Sequence, residues 1–174
     1  MISNIKIFFI TLKNEKLRTD HMIRELKKLN LKFEIFYATK GNNLSSEELS
    51  LYSKHETFKS ENRDMSLDEI STSLSHIKIY QIIVKCKYET TLIFEDDVII
   101  DTDLIGILNN LNKFPKNWQL INFLTDAKQL TIKSNINLYK NYKFTKFLGK
   151  ANRACSYLIS YDTAKKIFTR GISD

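Results

Sequence analysis

The first forty residues constrain the fold most tightly. Ile5–Leu12 is a short, nearly continuous apolar run of β-branched and aromatic residues, the pattern of a strand buried on both faces. Leu17, Met22, Ile23, Leu26 and Leu29 then recur at helical spacing, with Asn30 as a stop. Lys32–Ala38 reads as a second strand, so the chain opens with a βαβ unit. The alternation continues. Ser45-Ser46-Glu47-Glu48 has capping-box form and opens a short helix; Ser66-Leu67-Asp68-Glu69 repeats the form and opens the longest one. In that helix Leu67, Ile70, Leu74, Ile77, Gln81 and Val84 mark the stripe expected to face the core. Thr90–Phe94, Trp118–Leu124 and Cys155–Ser160 read as strands, and Tyr139–Phe147 as a strand pair or an extended segment. Leu104, Leu108 and Leu111 read as a short helix ended by Phe114-Pro115, Asp162–Thr169 as a final helix, and Ser53–Asp64 as a loop. The prediction is an α/β fold with a central, mainly parallel sheet flanked by helices, forming one domain over residues 1–174.

Composition removes several alternatives. One Pro and four Gly in 174 residues exclude collagen, a Pro-rich linker and a turn-dense β-sandwich, and 11% aromatic residues argue against disorder. A formal net charge of +7 favours anionic partners (a nucleotide, a phosphorylated glycolipid, nucleic acid or an anionic membrane face) without choosing among them. Cys86 and Cys155 lack metal-type spacing and read as free thiols of a reducing compartment. The run Ile7–Ile10 is too short for a signal sequence or a membrane span, so a cytoplasmic protein is expected, with peripheral contact at the inner face of the membrane.

The chemistry concentrates at Glu95-Asp96-Asp97, directly after the apolar strand and before Val98-Ile99-Ile100. Three adjacent acids repel one another unless a cation is near. Ligands of open α/β sheets sit beyond the carboxyl ends of the strands, where this turn lies. Strand geometry puts Glu95 and Asp97 on one face and turns Asp96 to the other. A hard divalent ion bridging a diphosphate needs one or two acids there. The plain alternative is an Asp-rich turn that caps the next helix. Farther on, Lys140, Lys143, Lys146, Lys150 and Arg153 interleave with Tyr139, Tyr142, Phe144 and Phe147. That pattern is read first as an edge strand, second as an anionic-acceptor surface and third as a nucleic-acid platform.

Four segments in order make the chain resemble the glycosyltransferase family 25 enzymes, the lipooligosaccharide galactosyltransferases of Gram-negative bacteria. They are Phe9-Ile10-Thr11-Leu12 with Arg18; Phe36-Tyr37-Ala38-Thr39-Lys40-Gly41; Leu67-Asp68-Glu69-Ile70 through Leu74-Ser75-His76; and Leu92-Ile93-Phe94-Glu95-Asp96-Asp97-Val98. Ala154–Ser160 with Ala164 is similar to a later strand and helix of the family. The resemblance implies a GT-A-like, Rossmann-type fold and inverting transfer of a hexose, galactose first, from a UDP-sugar to a core sugar of lipooligosaccharide or lipopolysaccharide. It implies manganese, or magnesium in its place, held by Asp97 and Asp96. Donor contacts are implied at Thr11, Leu12, Arg18, Ala38, Lys40, Glu69, Ser75, His76, Glu95 and Asp96. His76 and Asp126 are the candidate catalytic groups, Asp126 as the general base.

This sequence departs from the family pattern in several places. Lys40 stands where the family has an acid, Thr11 where it has Asn, and Asp68, Ser71 and Thr72 where it has Gly, Gly and Cys. Two rival readings follow: a shortened GT-A-like protein that binds nucleotide or sugar without turnover, and a basic nucleic-acid-binding module. The leading reading expects no nucleic acid.

Overall fold

The computed structural model describes residues 4–52, 63–123, 130–132, 136–148 and 154–170. Its elements run β1 (Ile5–Leu12), α1 (Lys16–Lys28), β2 (Glu34–Ala38), α2 (Ser46–Ser50), α3 (Leu67–Cys86), β3 (Thr90–Glu95), α4 (Leu104–Leu108) and β4 (Leu120–Asn122). There follow β5 (Leu130–Ile132), β6 (Asn137–Tyr139), β7 (Tyr142–Lys143), β8 (Lys146–Leu148), β9 (Ser156–Ser160) and α5 (Tyr161–Arg170). Most of the expected loop at Ser53–Asp64 lies outside the described residues, as do Asp126, Lys150 and Arg153.

The central sheet has five strands in the order β2-β1-β3-β9-β4. β1 pairs parallel with both β2 and β3, while β9 runs antiparallel to β3 and to β4. Four of the five strands therefore share one direction, and β3 lies in the middle, as the argument from strand ends requires. Side chains alternate strictly across the sheet. Ile5, Ile7 and Phe9 of β1, Leu92 and Phe94 of β3 and Leu158 of β9 face Met22 and Leu26 of α1 and Leu108 of α4. Phe8 and Ile10, Ile93, and Tyr157 with Ile159 face Ile79, Tyr80 and Ile83 of α3 and Ala164 of α5. Burial on both faces is why these strands read as continuous apolar runs.

The local signals act where the sequence places them. Ser45 and Ser66 each accept from the backbone N–H three residues on, and Glu48 and Glu69 return the bond to the cap. α1 stops because Asn30 takes the left-handed conformation (φ 52°), which lets the Leu31 N–H reach the Leu26 carbonyl at 3.1 Å.

Three expectations need correction and a fourth is refined. The α3 stripe is rotated: Leu67 and Gln81 are exposed, and the buried face runs through Ile70, Ser71, Ser75, His76, Ile79, Tyr80 and Ile83. The second half of α3 is apolar nearly all round, so apolar spacing there gives little direction, and its first half turns hydroxyls and an imidazole inward. Of the strand expected at Trp118–Leu124, the described residues form Leu120–Asn122, and Leu124 lies outside them; the helix expected through Leu111 stops at Leu108, with a 3-10 turn at Leu111–Lys113. The segment Tyr139–Phe147 divides between two small antiparallel pairs, β6 with β7 and β8 with β5. Cys86 and Cys155 form no disulfide with each other.

Candidate active site

A cleft of about 250 Å³ opens at the carboxyl ends of the parallel strands. β1 brings Ile10, Thr11 and Leu12, α1 brings Arg18, the end of β2 brings Ala38 through Gly41, α3 brings Asp68, Ser71 and Thr72, and β3 brings Glu95, Asp96 and Asp97. Eight of the site residues expected from sequence line this one space: Thr11, Leu12, Arg18, Ala38, Lys40, Glu95, Asp96 and Asp97. They come together because strands pointing the same way end at the same edge of the sheet.

The three acids part in different directions, as their mutual repulsion requires. Glu95, facing α3, accepts from His76 Nε2 at 3.3 Å. Asp96 turns to the opposite face, where the Thr11 hydroxyl donates to its Oδ2 at 2.7 Å and Arg18 reaches its Oδ1 at 3.3 Å. Thr11 is itself fixed by the Thr19 hydroxyl at 3.0 Å. Asp97 is exposed and has no hydrogen-bond or ion-pair partner among the described residues. Lys40 is exposed at the cleft edge and is likewise unpaired there. Among the described residues the cleft thus presents a carboxylate and an ammonium without protein partners, suited to a cation and an anion side by side.

Other expected residues lie elsewhere. Ser75 is buried and donates to the Ser71 carbonyl one turn back at 2.8 Å, away from the cleft wall. His76 is also buried, behind Glu95, with Nδ1 on the Tyr157 hydroxyl at 2.7 Å. It is not among the residues that line the cleft, and it reaches Glu95 through Nε2. Glu69 points away, clasped by Arg63 and returned to the Ser66 N–H at 2.8 Å; the Arg63 guanidinium first, then that backbone bond, hold its carboxyl down at about 2. Its role is the helix cap that the capping-box sequence already indicated.

Sequence reasoning missed Asp68, Ser71 and Thr72 as cleft lining. The signal was present: Ser71 and Ser75 stand four apart with His76 adjacent, a polar stripe on one helix face. The Asp68 carboxylate accepts from the Gly41 N–H at 3.2 Å, and the Ser71 hydroxyl donates to the Thr39 carbonyl, so α3 is fastened to the end of β2.

A second cavity, of about 470 Å³, meets the cleft at Asp97. Its walls are mainly apolar, formed by Phe94, Val98, Ile100, Leu104, Ile107 and Phe123, with Tyr142 and the Ser156 hydroxyl among its polar groups. Two cavities sharing one carboxylate suit a site that brings two substrates together.

No trio of His, Cys, Asp or Glu side chains among the described residues is arranged to hold a metal by itself. Of the acids expected to hold a metal, Asp96 has both carboxylate oxygens engaged by Thr11 and Arg18, and Asp97 is open; one such carboxylate fits a hard divalent ion whose shell is completed by phosphate and water.

A parallel-rich sheet with an acid turn at the end of its central strand, beside a polar cleft, agrees with the GT-A-like architecture expected from the sequence. Comparison with known proteins agrees: residues 4–171 match glycosyltransferase family 25 (LPS biosynthesis protein). The chain belongs to glycosyltransferase family 25. It is 26% identical to human procollagen galactosyltransferase 2 over 172 residues, covering 93% of this chain and 27% of that protein. The mouse procollagen galactosyltransferase 2 is 28% identical over 126 residues, covering 67% of this chain and 20% of that protein. The procollagen lysyl hydroxylase and glycosyltransferase of Acanthamoeba polyphaga mimivirus is 26% identical over 173 residues, covering 92% of this chain and 19% of that protein. The chain therefore spans about a quarter or less of the length of these relatives. No helix among the described residues is long and apolar enough to cross a membrane.

Proposed function

We propose that this domain is a divalent-metal-dependent, inverting glycosyltransferase that moves galactose from UDP-galactose to a sugar hydroxyl of a lipooligosaccharide-type acceptor. The observation that carries the reading is Asp97, an unpartnered carboxylate at the point where the polar cleft and the larger apolar cavity meet. Galactose is supported by the names of the mammalian relatives, and the lipopolysaccharide acceptor by the family's description.

In this reading the nucleotide occupies the cleft. Arg18 keeps guanidinium donors to spare beyond its contact with Asp96, and Lys40 adds a second cation; both suit a diphosphate. Asp97 would hold manganese or magnesium, with Asp96 joining it only by giving up Arg18, and the ion would supply charge stabilisation for the leaving diphosphate. Glu95 accepts a donor hydroxyl on the α3 side. The acceptor enters the second cavity, whose apolar walls suit the C–H face of a sugar. The procollagen names of the relatives favour a second acceptor, a hydroxyl on a protein, which the same cavity admits.

The test is calorimetric titration of UDP and UDP-galactose with and without manganese, on the wild type and Asp97→Asn. The substitution keeps size and removes the charge a hard ion needs. Manganese-dependent binding should disappear in Asp97→Asn while the thermal midpoint stays near wild type, because the side chain is exposed and makes no contact to lose. A large fall in stability with binding intact would instead identify a structural turn.

A further inference from the structure

We propose that Tyr80, Tyr157 and His76 form a positioning relay that fixes the His76 tautomer and thereby aims the Glu95 carboxylate into the cleft. The proposal rests on the reading of that cleft as a nucleotide-sugar site and adds positioning residues to it. Four groups stand in line: Tyr80 and Tyr157 hydroxyls 2.7 Å apart, Tyr157 hydroxyl to His76 Nδ1 at 2.7 Å, and His76 Nε2 to Glu95 Oε1 at 3.3 Å.

The protons in this line follow from one charge. An ionised carboxylate only accepts, so His76 Nε2 carries the hydrogen that meets Glu95. A neutral ring then has a bare Nδ1, which must accept from Tyr157. Tyr157 has one hydroxyl proton and has given it to the ring, so Tyr80 donates to the Tyr157 oxygen. His76, Tyr157 and Tyr80 are 6%, 1% and 8% exposed, which keeps water from competing for either ring nitrogen. Burial pushes both phenols upward, Tyr157 most, so each remains a neutral donor.

Packing alone does not require these hydroxyls. Tyr157 and Tyr80 sit within an apolar cluster of Phe8, Ile79, Ile93 and Ile159, where phenylalanine rings would fill the same space. The line begins in this core and ends on an acid of the cleft. Sheet pairing places its members: Tyr157 on β9 stands opposite Ile93 on β3, two residues before Glu95 on the same face.

The experiment uses two side chains that divide the imidazole between them. Gln at position 76 carries an amide near where Nε2 sits, and Asn carries one near where Nδ1 sits. With UDP and UDP-galactose as probes in the presence of manganese, His76→Gln should retain affinity within about threefold of wild type, whereas His76→Asn should lose about tenfold or more. The thermal midpoints of the two variants should be similar. A second measurement needs no ligand: long-range proton–nitrogen correlation spectra of the imidazole should show the Nε2–H tautomer in wild type and a mixture in Tyr157→Phe. Equal affinity losses in the Gln and Asn variants, or an Nδ1–H ring in wild type, would overturn the relay. If neither nucleotide binds wild type while the tautomer behaves as expected, the donor reading fails and the relay stands.

Discussion

Asp97 owes its prominence to what its neighbours already do. Glu95 is committed to His76 and Asp96 to Thr11 and Arg18, which leaves the third acid open at the junction of two cavities. Its place in the triplet was readable from sequence; its lack of a partner was not. The converse case is Thr91, fully buried in β3, whose hydroxyl finds no hydrogen-bond partner among the described residues. A buried unpaired hydroxyl costs free energy without return. Thr91→Val keeps the branched shape and removes that group, so it should raise stability by about 1 kcal/mol, read as a rise in the urea midpoint with an unchanged slope. A loss of stability would mean that the hydroxyl is satisfied in solution.

Among the elements, α3 carries most of the site's support. Its start is written in Ser66 and Glu69, and the structure places the cap there. The resemblance assigned Glu69 to the donor, but the Arg63 guanidinium and the Ser66 N–H draw its carboxyl out of the cleft and hold it at about 2, below the ordinary 4.5. A folded-state value below the unfolded one adds stability that is fully present above pH about 4.5 and is lost as pH falls through about 2. Glu69→Gln retains a capping amide and gives up the charge. Its thermal midpoint should therefore lie below wild type at pH 7, and the gap should close between pH about 4.5 and about 2. The effect is small because the pair is solvent-exposed. A gap that persists unchanged at pH 2 would show that the charge contributes nothing.

At the scale of the whole molecule, the cleft is made by segments far apart in the chain, and a tight seam lies between the end of β2 and the start of α3. A Cβ on Gly41 would lie 2.5 Å from Asp68 Oδ1, 2.6 Å from the Leu67 carbonyl carbon and 2.7 Å from the Asp68 nitrogen. Two of these atoms are backbone and cannot swing aside. Gly41→Ala must push α3 away from β2, which should cost about 1–3 kcal/mol in stability and weaken UDP binding along with it. Wild-type stability with wild-type UDP affinity would show that the seam is loose.

Eight residues of the cleft were named through the family resemblance; the sequence by itself determined the βαβ opening, both capping boxes and the strand that ends in Glu95-Asp96-Asp97. These are local patterns, set by side-chain periodicity, backbone caps and charge. Tertiary structure alone decided that β9 enters the sheet antiparallel, that α3 turns Ser71, Ser75 and His76 inward, and that Glu69 serves Arg63. It also decided that Tyr157, some eighty residues after His76, ends beside its imidazole. Such pairings depend on which elements pack together, and an apolar period cannot encode a partner. Where one face of a helix is polar yet buried, the hydrogen bonds that make burial tolerable come from other strands, and they exist only once the sheet is assembled.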